Sequence, residues 1–280
     1  MLTLNLQMAN SSEILDSLLR SPPESAAPTP LTYQWLLPNV KGLENYFKAI
    51  DAHPSSTSND PSLPKHEAAI FMAATESFSQ KNTNCSIAES LSRFKPLIEQ
   101  AKSRSTPVRA YISVALGCPY EGPDTDPHKV AELAVELLEL GAYEVSVADT
   151  TGMGTVPKTR KLLETLKAAG IKTEDLALHF HDTYGQALVN TVVALEHGIR
   201  TFDSAVGGLG GCPYSPGATG NVATEDLVHC LHSLGLETGI DLAAMAEIGA
   251  WISRELSKNN ESRAGKATLA RVQAVQRSDV

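Results

Sequence analysis

The sequence predicts an α/β protein built from parallel βαβ units, most of a (β/α)8 barrel, with a doubly wound sheet as the alternative. Three observations carry that expectation. Six short apolar runs recur along the chain, and segments with apolar residues every three or four positions separate them. Strands that alternate with helices pair in parallel. The residues with chemical potential, Asn39, Glu76, Asp149, His179 and His181, fall where the runs end. Barrel enzymes carry their catalytic groups at that C-terminal rim, which favours the barrel.

The expected strands are Tyr33–Leu37, Ala68–Ala73, Val108–Ala115, Tyr143–Ala148, Leu176–His181 and Thr201–Val206. The expected helices are Leu43–Ile50, Ile87–Ser103, Pro127–Leu140, Val156–Ala169 and Gly185–His197. Several have recognisable starts: Ser86 before Ile87, Asp126 before Pro127, and Asp182 or Thr183 before Gly185. The segment from Ser21 to Pro30, rich in proline, alanine and serine, reads as a solvated loop, as does the Ser/Asn/Pro-rich stretch His53–Pro64. The expected organisation is a non-barrel segment over 1–30, a barrel domain over 31–257 with a loop insertion at 53–64, and a polar, frayed tail over 258–280.

Composition narrows the function. The 280 residues are 42% hydrophobic, enough for a large core, and carry a net charge of −9. With a pI near 5.4 and no run of lysines or arginines, the chain lacks the electrostatic footprint of a nucleic-acid binder. Cys85, Cys118, Cys212 and Cys230 show no CxxC spacing, so neither a zinc knuckle nor a redox pair is indicated. No apolar stretch reaches the roughly 18–20 residues of a membrane span. Residues 1–20 hold one arginine, Arg20, and two acids, Glu13 and Asp16, a poor match to a transit peptide.

The run Leu176-Ala177-Leu178 leads into His179-Phe180-His181-Asp182. On a strand, Ala177, His179 and His181 share one face, so two imidazoles stand side by side and can grip a divalent metal. A pair of hydrogen-bonded histidines is the plainer alternative. Gly207-Gly208-Leu209-Gly210-Gly211-Cys212-Pro213-Tyr214 follows the last strand; four glycines in five residues give a loop that can approach a ligand closely. A thiol on such a loop suits an acid/base delivered by closure. Gly117-Cys118-Pro119-Tyr120 repeats the tetrapeptide without the glycine-rich approach, so Cys118 reads as structural, and Cys85 and Cys230 as packing residues. Asn221 is either the cap of the helix that follows or a hard-metal ligand. Asp149, at a strand end, can bind substrate, cap a loop or set a neighbour's protonation.

Six motifs in order carry a resemblance: Leu37–Gly42, Gly117–Gly122, Asp149-Thr150, His179–Ala187, Gly208–Tyr214 and Gly220–Asp226. Together they resemble hydroxymethylglutaryl-CoA lyase, from about Gln7 to about Ser257. The resemblance implies a metal-dependent retro-Claisen cleavage of 3-hydroxy-3-methylglutaryl-CoA to acetyl-CoA and acetoacetate, a step of leucine degradation and ketone-body formation. It implies Mg²⁺ or Mn²⁺ held by His179, His181 and Asn221, with catalytic roles for Cys212, His179 and Asp149. Asn39 and Glu76 are candidates for binding the acyl-CoA substrate. A homodimer and a mitochondrial location are further implications, a cytoplasmic location being the alternative without a transit signal. A related Claisen enzyme, or a non-catalytic paralogue that binds acyl-CoA or a protein partner, is the competing reading.

The family's barrel opens with a strand ending in Arg-Asp-Gly, whose aspartate is the fourth metal ligand. No Arg-Asp pair precedes Gln7, and the six expected strands correspond to the family's third through eighth. The expectation is therefore an incomplete barrel that binds metal weakly and turns over little substrate.

Overall fold

The computed structural model describes residues 10–22, 31–53, 64–211 and 220–278. Within them six strands are hydrogen-bonded in the order β1-β2-β3-β4-β5-β6. The strands are β1 (Thr32–Leu36), β2 (Lys65–Ala73), β3 (Val108–Ser113), β4 (Glu144–Asp149), β5 (Leu176–Phe180) and β6 (Thr201–Asp203). A doubly wound sheet reverses its strand order at a switch point. Here the order never reverses, so the chain has the winding of consecutive (β/α)8 units.

The helices are α1 (Ser11–Arg20), α2 (Val40–Asp51), α3 (Glu76–Thr83), α4 (Ile87–Ser103), α5 (Pro127–Leu140), α6 (Val156–Ala168), α7 (Ala187–Glu196), α8 (Thr224–Ser233), α9 (Leu242–Glu255) and α10 (Arg263–Ser278). The chain divides into two compact units, one of residues Met1–Ile70 with Leu91–Arg109 and one of Phe71–Ser90 with Ala110–Val280.

In the first unit β1 and β2 pair in parallel from Thr32↔Lys65 to Leu36↔Ala69. β2 starts three residues earlier than its apolar run. Lys65, His66 and Glu67 fall between the expected loop and the expected strand, and they join the strand: Gln34 Nε2 donates to Glu67 Oε1 (2.6 Å) and Trp35 Nε1 to His66 Nδ1 (3.0 Å). Such cross-strand pairs extend a sheet beyond its hydrophobic stretch. Asn39 opens α2 by accepting from Gly42 N at 2.9 Å, and Leu43, Tyr46 and Phe47 are buried on one face of that helix.

In the second unit β4 is buried at every position, as expected of a parallel strand covered on both faces. It pairs with β5 from Val145↔Leu176 to Asp149↔Phe180, and β5 pairs with β6 from Ala177↔Thr201 to His179↔Asp203. α5 starts as its sequence indicates, with Asp126 accepting from His128 N (2.9 Å) and Pro127 in the first turn, and Gly141 at φ 112° closes it.

Three expectations fail. β3 ends at Ser113 because Val114 takes a left-handed backbone, φ 56°, which a β-branched residue adopts only at a cost of about 1–2 kcal/mol. Two threonines hold it there: Val114 N donates to Thr150 Oγ1 (2.9 Å), and Thr125 Oγ1 donates to Val114 O (2.8 Å). β6 ends at Asp203, and residues up to Val206 leave the ladder for a short turn with Gly207 at φ 64°.

The third failure is the tail over 258–280, where Arg263–Ser278 forms a sixteen-residue helix. The buried carboxylate of Asp226 accepts from Ser262 Oγ (2.7 Å), Ala264 N (2.6 Å) and Arg263 N (3.2 Å). An acid supplied from α8 thus satisfies the open donors of the helix start, which local polarity could not foretell. The insertion at 53–64 lies almost wholly outside the described residues.

Thr150→Val removes the hydroxyl that receives the Val114 N–H while keeping the side-chain shape. A loss of about 1–2 kcal/mol is expected, read as a lower urea midpoint with unchanged slope.

Candidate active site

β5 delivers His179 at its last-but-one position and His181 just beyond its end. The second unit clasps that end on both sides. His181 N donates to Asp149 O (3.3 Å) on the β4 side. On the other side Val222 N donates to Phe180 O (3.1 Å) and Asp182 N to Gly220 O (3.1 Å), which sets Asn221 opposite His181 in an antiparallel bridge. Asn221 is therefore no helix cap: Ala223 caps α8. Its amide donates through Nδ2 to Leu209 O (2.9 Å), and Oδ1 is left without a hydrogen-bond partner among the described residues.

Glycine is required where the glycine run crosses Gly220–Asn221. A Cβ on Gly220, at φ 117°, would lie 2.6 Å from Gly210 O, and one on Gly210, at φ 88°, 2.8 Å from Asn221 Nδ2.

The His179 and His181 ring centroids are 5.3 Å apart, and Tyr111 meets the edge of His179 at 6.4 Å. His181 is buried. Burial first, and the neighbouring His179 second, push its pKa down to about 4, so it is a neutral imidazole at pH 7. A metal ligand needs that protonation state. Among the described residues His181 Nδ1 and Asn221 Oδ1 are both buried without a hydrogen-bond partner. Buried polar atoms are rarely left so unless something else satisfies them.

Asp149 lies in register with Phe180, so its side chain leaves β4 on the face opposite His179. It organises the next loop, accepting from Gly154 N at 2.9 Å through Oδ2. Oδ1 has no hydrogen-bond partner among the described residues. Burial raises its pKa to about 6, against the lowering effect of the loop's backbone donors and of His179.

The other expected residues have local roles or lie outside the described residues. Cys212 falls outside the described residues. Cys118 is buried and accepts from Thr75 Oγ1 (3.2 Å), in keeping with a structural thiol. Glu76 accepts from Ile87 N (3.2 Å) and so caps α4, while Asn39 caps α2 in the first unit.

Two acids at the rim escaped the sequence reading. Asp203, paired in register with His179, has Oδ2 2.7 Å from Ser146 Oγ and 3.5 Å from His179 Nδ1. Glu225 is wholly buried, and both its oxygens accept from Gly207 N (2.9 and 3.2 Å) at the root of the glycine loop. Glu261 N returns a bond to Gly207 O at 2.9 Å. Gly249 on α9 makes room for this carboxylate, since a Cβ there would lie 2.0 Å from Glu225 Oε1.

The unreversed β/α winding and the His-x-His pair facing an asparagine at its rim place the chain in the HMGL-like class, and the HMGL-like family model matches residues 55–252. Curated relatives narrow this. The chain is 47% identical over 265 residues to the 3-hydroxy-3-isohexenylglutaryl-CoA/hydroxymethylglutaryl-CoA lyase of Pseudomonas aeruginosa, covering 95% of this chain and 81% of the relative. It is also 47% identical to the hydroxymethylglutaryl-CoA lyase of Pseudomonas mevalonii, covering 95% of this chain and 80% of that one. The crystal structure of the hydroxymethylglutaryl-CoA lyase from Pseudomonas aeruginosa superposes with a TM-score of 0.82 at 46% identity, over 95% of this chain and 81% of that chain. The chain belongs to the hydroxymethylglutaryl-CoA lyase family. Lyases of this family depend on a divalent metal. The partnerless Asn221 oxygen and His181 nitrogen, beside a second imidazole, fit such an ion.

The two buried site groups give opposite pH dependences to folding. Asp149 binds a proton more tightly when folded, so its burial costs nothing below about pH 4 and its full penalty appears above about pH 6. His181 binds a proton less tightly when folded, so it contributes stability above pH 6.5 that is lost as the pH falls towards 4. Asp149→Asn should therefore match the wild type at pH 4 and exceed it by about 1–3 kcal/mol at pH 7, as measured by urea denaturation of the metal-free protein at both pH values.

Proposed function

We propose that this chain cleaves a 3-hydroxy-3-alkylglutaryl-CoA, with 3-hydroxy-3-methylglutaryl-CoA as the substrate giving acetyl-CoA and acetoacetate. The observation that carries this reading is the juxtaposition of His179, His181 and Asn221 at the end of β5, with donor atoms left unsatisfied. The family resemblance adds the rest.

His179, His181 and Asn221 would hold the metal. Two imidazoles and an amide oxygen, with no thiolate, suit Mg²⁺ or Mn²⁺ rather than a structural zinc. When bound, the ion polarises the substrate's hydroxyl and carbonyl oxygens. In the cleavage the tertiary hydroxyl loses its proton and becomes the ketone of acetoacetate. The electrons of the broken carbon–carbon bond pass to the α-carbon of the departing acetyl-CoA, and that carbon gains a proton. Asp149, at the end of β4 with its carboxylate turned into the Gly152–Gly154 loop, assists from the same rim, as the family resemblance implies. Cys212, the thiol of the glycine loop, is the donor of the proton that the α-carbon gains. The Glu225 carboxylate roots that loop through Gly207.

The two curated relatives are equally identical to this chain, yet one name includes an isohexenyl substrate and the other does not. The substituent at carbon 3 is therefore tested with both thioesters.

The assay follows acetoacetate and acetyl-CoA formed by the purified protein with Mg²⁺ or Mn²⁺, and metal binding by calorimetry. His179→Ala should abolish turnover and weaken metal binding. Cys212→Ser should lower turnover by about 10²–10⁴-fold with metal affinity nearly unchanged. Metal-dependent turnover by these 280 residues would also overturn the expectation of a weak, inactive site. Neither turnover nor metal binding would leave the non-catalytic acyl-CoA binder as the better reading.

A further inference from the structure

Asp203 has a place in the site that neither the motifs nor the expected roles assign. Parallel registers explain how it gets there. Residues paired across parallel strands lie on the same face, so Ser146, Ala177 and Thr201 form one row, and Ala148, His179 and Asp203 the next. The Ser146 hydroxyl crosses from β4 to β6, two strands away, and donates to Asp203 Oδ2 at 2.7 Å. It passes over Ala177, whose side chain is a single methyl. That bond pins the carboxylate, and the same oxygen lies 3.5 Å from His179 Nδ1.

No described group makes a hydrogen bond of normal geometry to that nitrogen, and the carboxylate oxygen is its ion-pair partner. At 3.5 Å the contact is longer than a full hydrogen bond. Contacts of this kind shorten when the other ring nitrogen takes a metal, because the ion draws density from the ring and makes the N–H more acidic.

We propose that Asp203, braced by Ser146, is a positioning residue for His179: it holds the proton on Nδ1 and so presents Nε2 to the metal. The inference rests on the metal-site reading above. It assigns to the β4–β6 bridge what His179 lacks from its own strand, a fixed ring orientation and a fixed tautomer. Metal-ligating histidines commonly have their second nitrogen tied to a carboxylate in this way, and losing that carboxylate typically costs 10–100-fold in metal affinity.

The test uses the full 280-residue protein, ¹⁵N-labelled, as wild type, Asp203→Asn and Ser146→Ala. Long-range ¹H–¹⁵N spectra of the metal-free protein at neutral pH report which His179 nitrogen carries the proton, and calorimetric titration with MnCl₂ reports affinity. The wild type should show His179 protonated at Nδ1. Asp203→Asn should give a mixture of tautomers and about 10–100-fold weaker Mn²⁺ binding, and Ser146→Ala a smaller change in the same direction. A folded Asp203→Asn protein with the wild-type tautomer and affinity would overturn the proposal. Should Asp203→Asn not fold, Ser146→Ala decides alone: an unchanged tautomer there overturns it, and a mixed one supports it. Absence of Mn²⁺ binding by the wild type would sink the metal reading, while the tautomer, which needs no metal, would still decide the role of Asp203.

Discussion

The site depends on one short backbone contact, the docking of Gly220–Val222 against the end of β5. Two hydrogen bonds make it, Val222 N to Phe180 O and Asp182 N to Gly220 O, and they fix where Asn221 stands relative to His181. Asn221 is forty residues from His181 in sequence, so no local preference could bring the pair together. On its other side the Gly220–Val222 segment is crossed by the glycine run, where Gly210 and Gly220 leave no room for a side chain. The glycine run that looked like a flexible lid is also a spacer, one that lets backbone reach backbone.

Around that contact the protein holds groups in states that folding alone would avoid. Asp149 is a carboxylate buried at a cost. His181 is an imidazole held neutral by burial. Val114 holds a backbone angle that suits glycine. All three lie where strands end or just beyond. Unfavourable conformations and shifted ionisations persist only where surrounding structure over-determines them, and they gather at functional sites. The threonines flanking Val114 and the loop donors facing Asp149 are that surrounding structure.

What the sequence disclosed follows the range of the interaction. His179 and His181 were legible because strand periodicity acts over two residues, and α5 because its cap, proline and glycine are its own. Asn221 stayed ambiguous because a cap and a bridge partner look alike until the opposing strand is known. Asp203 was invisible for a related reason. The strand ending there seemed to run to Val206, which hid the rim position, and its partners Ser146 and His179 are reached only through the registers of two strand pairs. The helix Arg263–Ser278 was misread because the acid that starts it, Asp226, lies on α8 rather than nearby in sequence.

Gly249 shows how far the site's influence extends. It lies on an outer helix, well away in sequence from the histidines, and its missing side chain is the space the Glu225 carboxylate occupies while gripping Gly207. In genetic terms, a change at Gly249 as small as alanine would present as a fault of the glycine run at Gly207. A variant survey sorted by distance in sequence from the histidines would file it among the unrelated changes.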